Sequence, residues 1–350
     1  MKIPKKIVIP VSLLLVLTVC ALWLYFRFEP SRHFSSADIP VLAKPTYTSD
    51  LSGNRQSSKK QAIKNGVSPN NGLAAPSPRD TADGKLKEIQ GAKGSFNMLL
   101  LAVDARAEEA SRTDVLMLVH VNPANQTVRL VSIPRDTRVN LPGIGLTKIN
   151  HAHALGEMKG KGVHSGTTAA IQAVSDLCGC TINYYVKTNF EGFEHFIDTI
   201  GGLDVELDVP VKLTYDHLTL PAGKQHWDGR TTLHFARERK SLPEGDSGRQ
   251  ENQALVLKAI VQKLLKPGNL AQIPALIDQV KEDILDTNLS KSDMISLAWM
   301  AKDVDAGEIT YAQFPGSSGK AYDPLVKAEL YYWMPDLTAW SSVSEQLLGD

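Results

Sequence analysis

Asp104 and Arg106 close an apolar run that begins at Phe96 (FNMLLLAVDAR), and Arg112 and Asp114 open the next one (SRTDVLMLVHVN). A third run, QTVRLVSIPRDTR, delivers Arg135, Asp136 and Arg138 at its carboxyl end. Two carboxylates and several guanidinium groups gathered at one mouth are costly unless a metal and an anion sit among them. Further along, Arg237 and Arg239 precede a helical segment in which Arg249 and Gln253, four apart, share a face. The free N–H groups of a helix start attract anions, and arginine adds bidentate contacts to phosphate. Arg135, Arg138, Arg237, Arg239 and Arg249 are therefore five arginines that could converge on one phosphate-bearing ligand. Ordinary surface salt bridging is the competing reading, because Glu238, Glu244, Asp246 and Glu251 lie close by in the chain.

The elements that must position these groups follow from periodicity. The three apolar, β-branched-rich runs read as strands. A hairpin of the first two centred on Glu109 sets Asp104 opposite Asp114 and Arg106 opposite Arg112. Helical spacing marks 151–158 and 167–177, and alternation marks a strand over 182–188. A helix over 190–200 is closed by Gly201 and Gly202, as a helix C-terminus prefers. A short strand over 203–209, a polar excursion over 215–227, and helices over 231–239 and 249–265 follow. Two more helices, about 270–283 and 290–303, precede a strand over 308–314. The last thirty residues are weakly patterned. The alternation predicts an α/β fold, an α-β-α sandwich with one mixed central sheet covered by helices.

Twenty consecutive uncharged, mostly apolar residues, 7–26, are long enough to cross a bilayer, and Lys2, Lys5 and Lys6 before them place the N-terminus in the cytoplasm. No small-x-small cleavage site follows, so the run is expected to stay as a signal anchor with the rest of the chain outside the cell. The organisation expected is a cytoplasmic tail over 1–6, an anchor helix over 7–26, an extracellular flexible linker over 27–93 and a folded domain over 94–350. The linker is rich in Ser, Asn, Lys, Ala and Pro. Lysine plus arginine equals aspartate plus glutamate at 38 each, which argues against a nucleic-acid binder.

Some residues that resemble chemistry read otherwise. Cys178 and Cys180 form a Cys-Gly-Cys that an oxidising exterior could bridge, or leave as two thiols. His151 and His153 have no further His or Cys nearby to complete a metal set, and a helix-face role is expected of them. Ser132 lacks the Gly-x-Ser-x-Gly elbow of a hydrolase nucleophile. Trp227-Asp228-Gly229 reads as turn chemistry.

Asp104, Arg106, Arg112 and Asp114, then SIPRDTRV, KINHA, FEGFEHFIDTIGGLDVEL, FARER and RQENQ, in that order, resemble the LytR-CpsA-Psr family over about 95–265. His153 and Glu157 stand where that family often has Tyr and Gly, and Asn252 where a further Arg is common. The resemblance implies a cell-envelope phosphotransferase. Its donor would be a glycopolymer (teichoic acid, capsule or another wall glycan) on a polyprenyl diphosphate, and its acceptor peptidoglycan. It implies that Asp104 and Asp114 bind Mg²⁺, or Mn²⁺ in its place. Arg135, Arg237, Arg239, Arg249 and Gln253 would hold the diphosphate, with Arg106, Arg112 and Arg138 as further contacts. Asp104, Asp114 and Arg135 would carry catalysis, with Asp104 doubling as general base. The lipid tail needs an apolar slot, and helices at 167–177, 190–200 and 254–265 have the side chains to line one. A non-catalytic lipid-glycan binding module and a membrane-bound transcriptional attenuator are the other functions such a chain could have.

Overall fold

The structure, a computed structural model, describes residues 25–46, 93–104, 111–160, 162, 164–264, 278, 286–301, 304 and 309–349. All but the end of the anchor helix expected over 7–26 lies outside these residues, as do Arg106 and most of the helix expected over 270–283. No described helix is long and apolar enough to cross a membrane.

Six strands form one mixed sheet. They are β1 (Phe96–Asp104), β2 (Arg112–Asn122), β3 (Thr127–Ser132), β6 (Tyr184–Asn189), β11 (Asp286–Thr287) and β12 (Thr310–Gln313), in the order β11-β6-β1-β2-β3-β12. The β1–β2 and β2–β3 pairs are antiparallel, whereas β6 joins β1 and β12 joins β3 in parallel. Near-continuous apolar runs in β1 and β2 are explained by burial on both sides, as in other sheets with helices on each face. Leu99, Leu101, Leu116, Leu118 and Val131 pack on one face against helices α3 (Ser165–Cys178) and α8 (Leu337–Leu348). On the other face Phe96, Met117, Val119, Val121 and Leu130 meet α1 (Pro30–Ser36), α7 (Lys291–Ala301) and part of α6 (Asp246–Leu264).

A satellite core is built from α4 (Phe190–Thr199), α5 (Gly229–Arg237), α6 and the ribbon of β7 (Leu203–Leu207) with β10 (Gly223–Trp227). The polar excursion expected over 215–227 therefore contains strands: β10, and β9 (Leu218–Leu220) paired to β8 (Val211–Leu213). Asp228 accepts the N–H of Thr231 at 2.8 Å and starts α5. Gly229 then lets that helix approach α4 so closely that a Cβ there would lie 2.1 Å from the Glu194 carbonyl oxygen.

One expectation is corrected. Part of the linker expected over 27–93 packs on the fold: Phe34 is buried against the Phe96 ring, its centroid 4.7 Å away, His33 reaches Asp293 at 2.7 Å, and Ala43 bridges Ile182. Apolar side chains spaced among polar ones suffice to dock a segment when a groove awaits them, which composition does not reveal. The weakly patterned C-terminus is ordered as a hairpin of β13 (Gly316–Asp323) and β14 (Ala328–Pro335) followed by α8. Cys178 and Cys180 form a disulfide beneath α8, where the Trp340 indole donates to the Cys178 carbonyl at 2.8 Å.

The hairpin is fastened through one carboxylate. Asp323, fully buried, accepts from the Tyr332 hydroxyl at 2.6 Å, the Thr147 hydroxyl at 2.7 Å and the Leu325 and Val326 N–H groups at 2.8 and 2.9 Å. Burial would raise its pKa, but these donors outweigh burial and bring it down to about 2. A carboxyl depressed on folding contributes stability at every pH above the ordinary carboxylate range and loses it as pH falls toward about 2. Asp323→Asn leaves an amide N–H₂ facing two hydroxyls and is expected to cost about 3 kcal/mol of unfolding free energy at neutral pH. Urea titrations at pH 7 and pH 3 would show the gap between variant and wild type narrowing at the lower pH.

Candidate active site

The mouth of the β1–β2 hairpin is not symmetric. Phe96 to Ala102 pair with Val121 to Val115, but Val103 pairs with Thr113 and Asp104 with Arg112. Asp114 is thus the extra residue of a β-bulge, the device by which sheets re-aim a side chain. Asp104 stands opposite Arg112 and not opposite Asp114, correcting the register expected from a hairpin centred on Glu109. The bulged Asp114 carboxylate receives Arg135 Nη1 at 2.6 Å.

Arg135 rides on a clamped turn. The Thr137 N–H and hydroxyl both donate to the Pro134 carbonyl, at 2.9 and 2.6 Å. The Asn150 N–H donates to the Arg135 carbonyl at 3.2 Å and the Trp333 N–H to the Asp136 carbonyl at 3.0 Å, while Lys148 holds the Asp136 carboxylate at 2.8 Å. Burial alone would weaken the Arg135 guanidinium's hold on its proton, but the charge and hydrogen bond of Asp114 outweigh this and raise its pKa.

A second set of cations arrives from the satellite core. Glu238, 1% exposed, accepts from the Thr214 hydroxyl at 2.9 Å and from the Arg239 and Ser241 N–H groups at 2.9 and 3.1 Å. These bonds override the upward push of burial and keep it ionised. They fix the chain leaving α5, with Arg237 on one side of the glutamate and Arg239 on the other. The Arg237 guanidinium lies over the Phe190 ring at 4.0 Å. Helix α6 starts three residues earlier than periodicity predicts, so Asp246 holds Arg249 Nη2 at 2.9 Å from the preceding turn. Arg249 is 6% exposed, and burial together with the nearby Arg135 and Arg239 charges lowers its pKa despite Asp246. The Nε–H groups of Arg135 and Arg249 are buried without a hydrogen-bond partner. Buried unpaired donors are rare, and on mutually repelling cations they mark a place prepared for anionic oxygen.

These groups rim a cavity of about 560 Å³. Asp114, Arg135, Arg237, Arg239, Lys240, Arg249 and Gln253 border it, and beyond them it is walled by apolar side chains of β1, β2, α4, α6 and α7, including Met98, Phe193, Leu257 and Leu297. A slot with one charged end and a long apolar body accepts an amphiphile with an anionic head. Helix 167–177 was an expected wall but belongs to the opposite face of the sheet.

Of the residues expected at the site, the cavity border unites Asp114, Arg135, Arg237, Arg239, Arg249 and Gln253. Gln253 is also tied back, donating to the Ala236 carbonyl at 3.2 Å. Asp104 and Arg112 face each other across the hairpin mouth and do not border the cavity. Arg138 turns aside to the Tyr332 ring at 5.4 Å, so four of the five arginines converge. Among the described residues no three His, Cys, Asp or Glu side chains form a metal cage. One or two carboxylates beside a phosphate subsite are the usual holding for Mg²⁺, and of the two aspartates expected to bind it only Asp114 borders the cavity.

Sequence reasoning missed Gln250 and Lys240. Gln250, 2% exposed, accepts the Ser132 hydroxyl at 2.5 Å and locks α6 to the end of β3, giving Ser132 a structural role. His151 Nδ1 lies 2.8 Å from Thr147 Oγ1, whose proton goes to Asp323, so the imidazole carries its proton on Nδ1. Burial and the Arg112 charge lower its pKa and keep it neutral. His153 and Glu157 hold Ser111 at the start of β2: His153 Nδ1 is 2.9 Å from the Ser111 carbonyl, and the Ser111 N–H donates to Glu157 at 2.8 Å. Both histidines are held within the fold by these contacts.

The sequence profile of the LytR_cpsA_psr family matches residues 55–348. A protein of Bacillus anthracis described as polyisoprenyl-teichoic acid–peptidoglycan teichoic acid transferase TagU is 33% identical over 264 residues, 75% of this chain and 81% of that protein. The crystal structure of TagV from B. subtilis superposes with a TM-score of 0.61 at 27% identity, covering 73% of this chain and 97% of that one. A structure of TagT bound to LI-WTA gives 0.59 at 28% identity, with 75% and 93% covered.

Proposed function

This chain belongs to the LytR-CpsA-Psr family, and on that premise we propose that it transfers a glycopolymer from a polyprenyl-diphosphate carrier to the muramic acid 6-hydroxyl of peptidoglycan, outside the cell and anchored in the membrane. The observation that carries this reading is the apolar slot of about 560 Å³ that ends on Arg135, Arg237, Arg239 and Arg249. The slot takes the prenyl tail and the arginines take the diphosphate. The named substrates of the B. anthracis relative, a polyisoprenyl-linked teichoic acid and peptidoglycan, point the same way.

In this reading the acceptor hydroxyl attacks the sugar-proximal phosphorus. A new O–P bond forms, the bond to the bridging oxygen breaks, and polyprenyl phosphate leaves. Charge builds on the bridging oxygen and the phosphoryl oxygens, where preorganised guanidinium donors stabilise it most. Asp104, at the hairpin mouth and outside the cavity border, would take the hydroxyl proton of an acceptor approaching from that side. Asp104 and Asp114 would hold a Mg²⁺ ion, which when bound neutralises diphosphate charge. Arg135 answers to both the bulged aspartate and the ligand, so Asp114 fixes where its guanidinium points.

Incubating the full chain in detergent with a lipid-diphosphate glycan, peptidoglycan oligomers and Mg²⁺ tests the proposal. Polymer-linked peptidoglycan and polyprenyl phosphate are the expected products, and Asp114→Ala is expected to lower their rate at least about a hundredfold. Tight donor binding with no polyprenyl phosphate released would favour a binding module instead. Regulation by direct nucleic-acid contact has no support in a chain of zero net charge.

A further inference from the structure

The β13–β14 hairpin has two unlike faces. One carries Asp323 and Tyr332 and is buried against β4 (Arg138–Leu141) and β5 (Gly145–Lys148). The other pairs Ser318 with Trp333, Lys320 with Tyr331 and Tyr322 with Glu329, and it faces water. Tyr322 is 60% exposed and Tyr331 43% exposed, so two rings on this face reach solvent. The inner end of this face is joined to the site. The Trp333 N–H donates to the Asp136 carbonyl, and Thr137 bridges Trp333 in a strand-like contact. The Trp333 indole is held by its own N–H to the Phe314 carbonyl at 3.1 Å and lies over Gly316, where a Cβ would meet the ring at 2.5 Å.

Position relative to the slot gives this ribbon a use. The slot opens on the sheet face that carries Met98, Met117 and Val119. The elements under the hairpin, including Val139, Leu141 and Ile149, belong to the core of the opposite face. Arg135 lies at the strand ends between the two. A displacement at phosphorus needs its nucleophile on the side away from the leaving lipid phosphate, which is the hairpin's side.

We propose that the outer face of the β13–β14 hairpin, with the rings of Tyr322 and Tyr331, docks the acceptor glycan strand. The C–H faces of pyranose sugars stack on aromatic rings, and Lys320, Ser318, Glu329 and the Tyr hydroxyls border those rings with groups for sugar hydroxyls and acetamides. The face's single lysine and single glutamate cancel, which suits a largely uncharged aminosugar backbone and not a polyanionic wall polymer. This assignment rests on the transferase reading for the identity of the acceptor.

Full chain in detergent is titrated with peptidoglycan-derived GlcNAc–MurNAc oligomers, without donor, and binding is followed by calorimetry. Tyr322→Ala/Tyr331→Ala is expected to weaken binding at least tenfold. Tyr322→Phe/Tyr331→Phe, which keeps the rings, should stay within threefold of wild type. Affinity for a short prenyl diphosphate should be unchanged in both. Wild-type glycan affinity in the alanine double variant overturns the proposal, as does an equal loss of donor affinity, which would mean a structural role. Glycan binding that depends on both rings in a chain with no transfer activity would sink the transferase reading while leaving the docking face standing.

Discussion

Arg135→Ala is expected to lower the transfer rate by about 10³ at saturating donor, the loss seen when one preorganised donor to a developing oxyanion is removed. The expectation comes from its position. Among the described residues Arg135 is the one guanidinium that meets the bulged Asp114, borders the slot and sits on a turn clamped by Asn150 and Trp333. Arg135→Lys keeps the charge but loses the planar fork, and should recover no more than about a tenth of the lost rate. Neither change should unfold the protein, because water still reaches the Asp114 carboxylate, whose side chain is 20% exposed, once its partner is gone. Initial rates of polyprenyl phosphate release, beside thermal melts, separate the two effects. Activity within tenfold of wild type in Arg135→Ala would remove this residue from the chemistry.

The second large effect concerns the slot. For monomeric prenyl diphosphates in water, each isoprene unit brought in from solvent gains up to about 4 kcal/mol at about 0.8 kcal/mol per buried carbon. Imperfect fit and tail ordering reduce this, so affinity should climb at least about tenfold per unit and then stop climbing once the slot is full. Ala298→Trp places a large ring in the wall and should bring that plateau at least one unit sooner. Donors presented in micelles start from an apolar medium, and their length dependence should be nearly flat. Titrations across a chain-length series, with and without the substitution, measure both slopes. A constant affinity in water would mean that the tail does not enter.

Much of this was legible in the chain. Apolar runs in β1, β2 and β3 are continuous enough to announce buried strands, and the acidic and basic residues at their ends announce a site. The register of the mouth was not legible. A period-two run fixes which residues share a face but not how two runs slide past each other, and a single bulge at Asp114 shifts the pairing. The hairpin at 316–335 escaped because its inner face buries a carboxylate and a phenol, and its glycines interrupt any apolar alternation. Gln250 escaped because a glutamine in a helix reads as surface until its neighbours are known. Arg138 read as a further phosphate contact, yet as the first residue of β4 it lies beside Tyr332 and away from the cavity.

The most direct test is a crystal structure of the chain with farnesyl diphosphate and Mg²⁺. The prenyl tail should lie between the sheet and helices α6 and α7, with the diphosphate oxygens on the Nε–H groups of Arg135 and Arg249 and on Arg239. A diphosphate bound elsewhere, or a slot left without the tail while the head is held, would contradict the account.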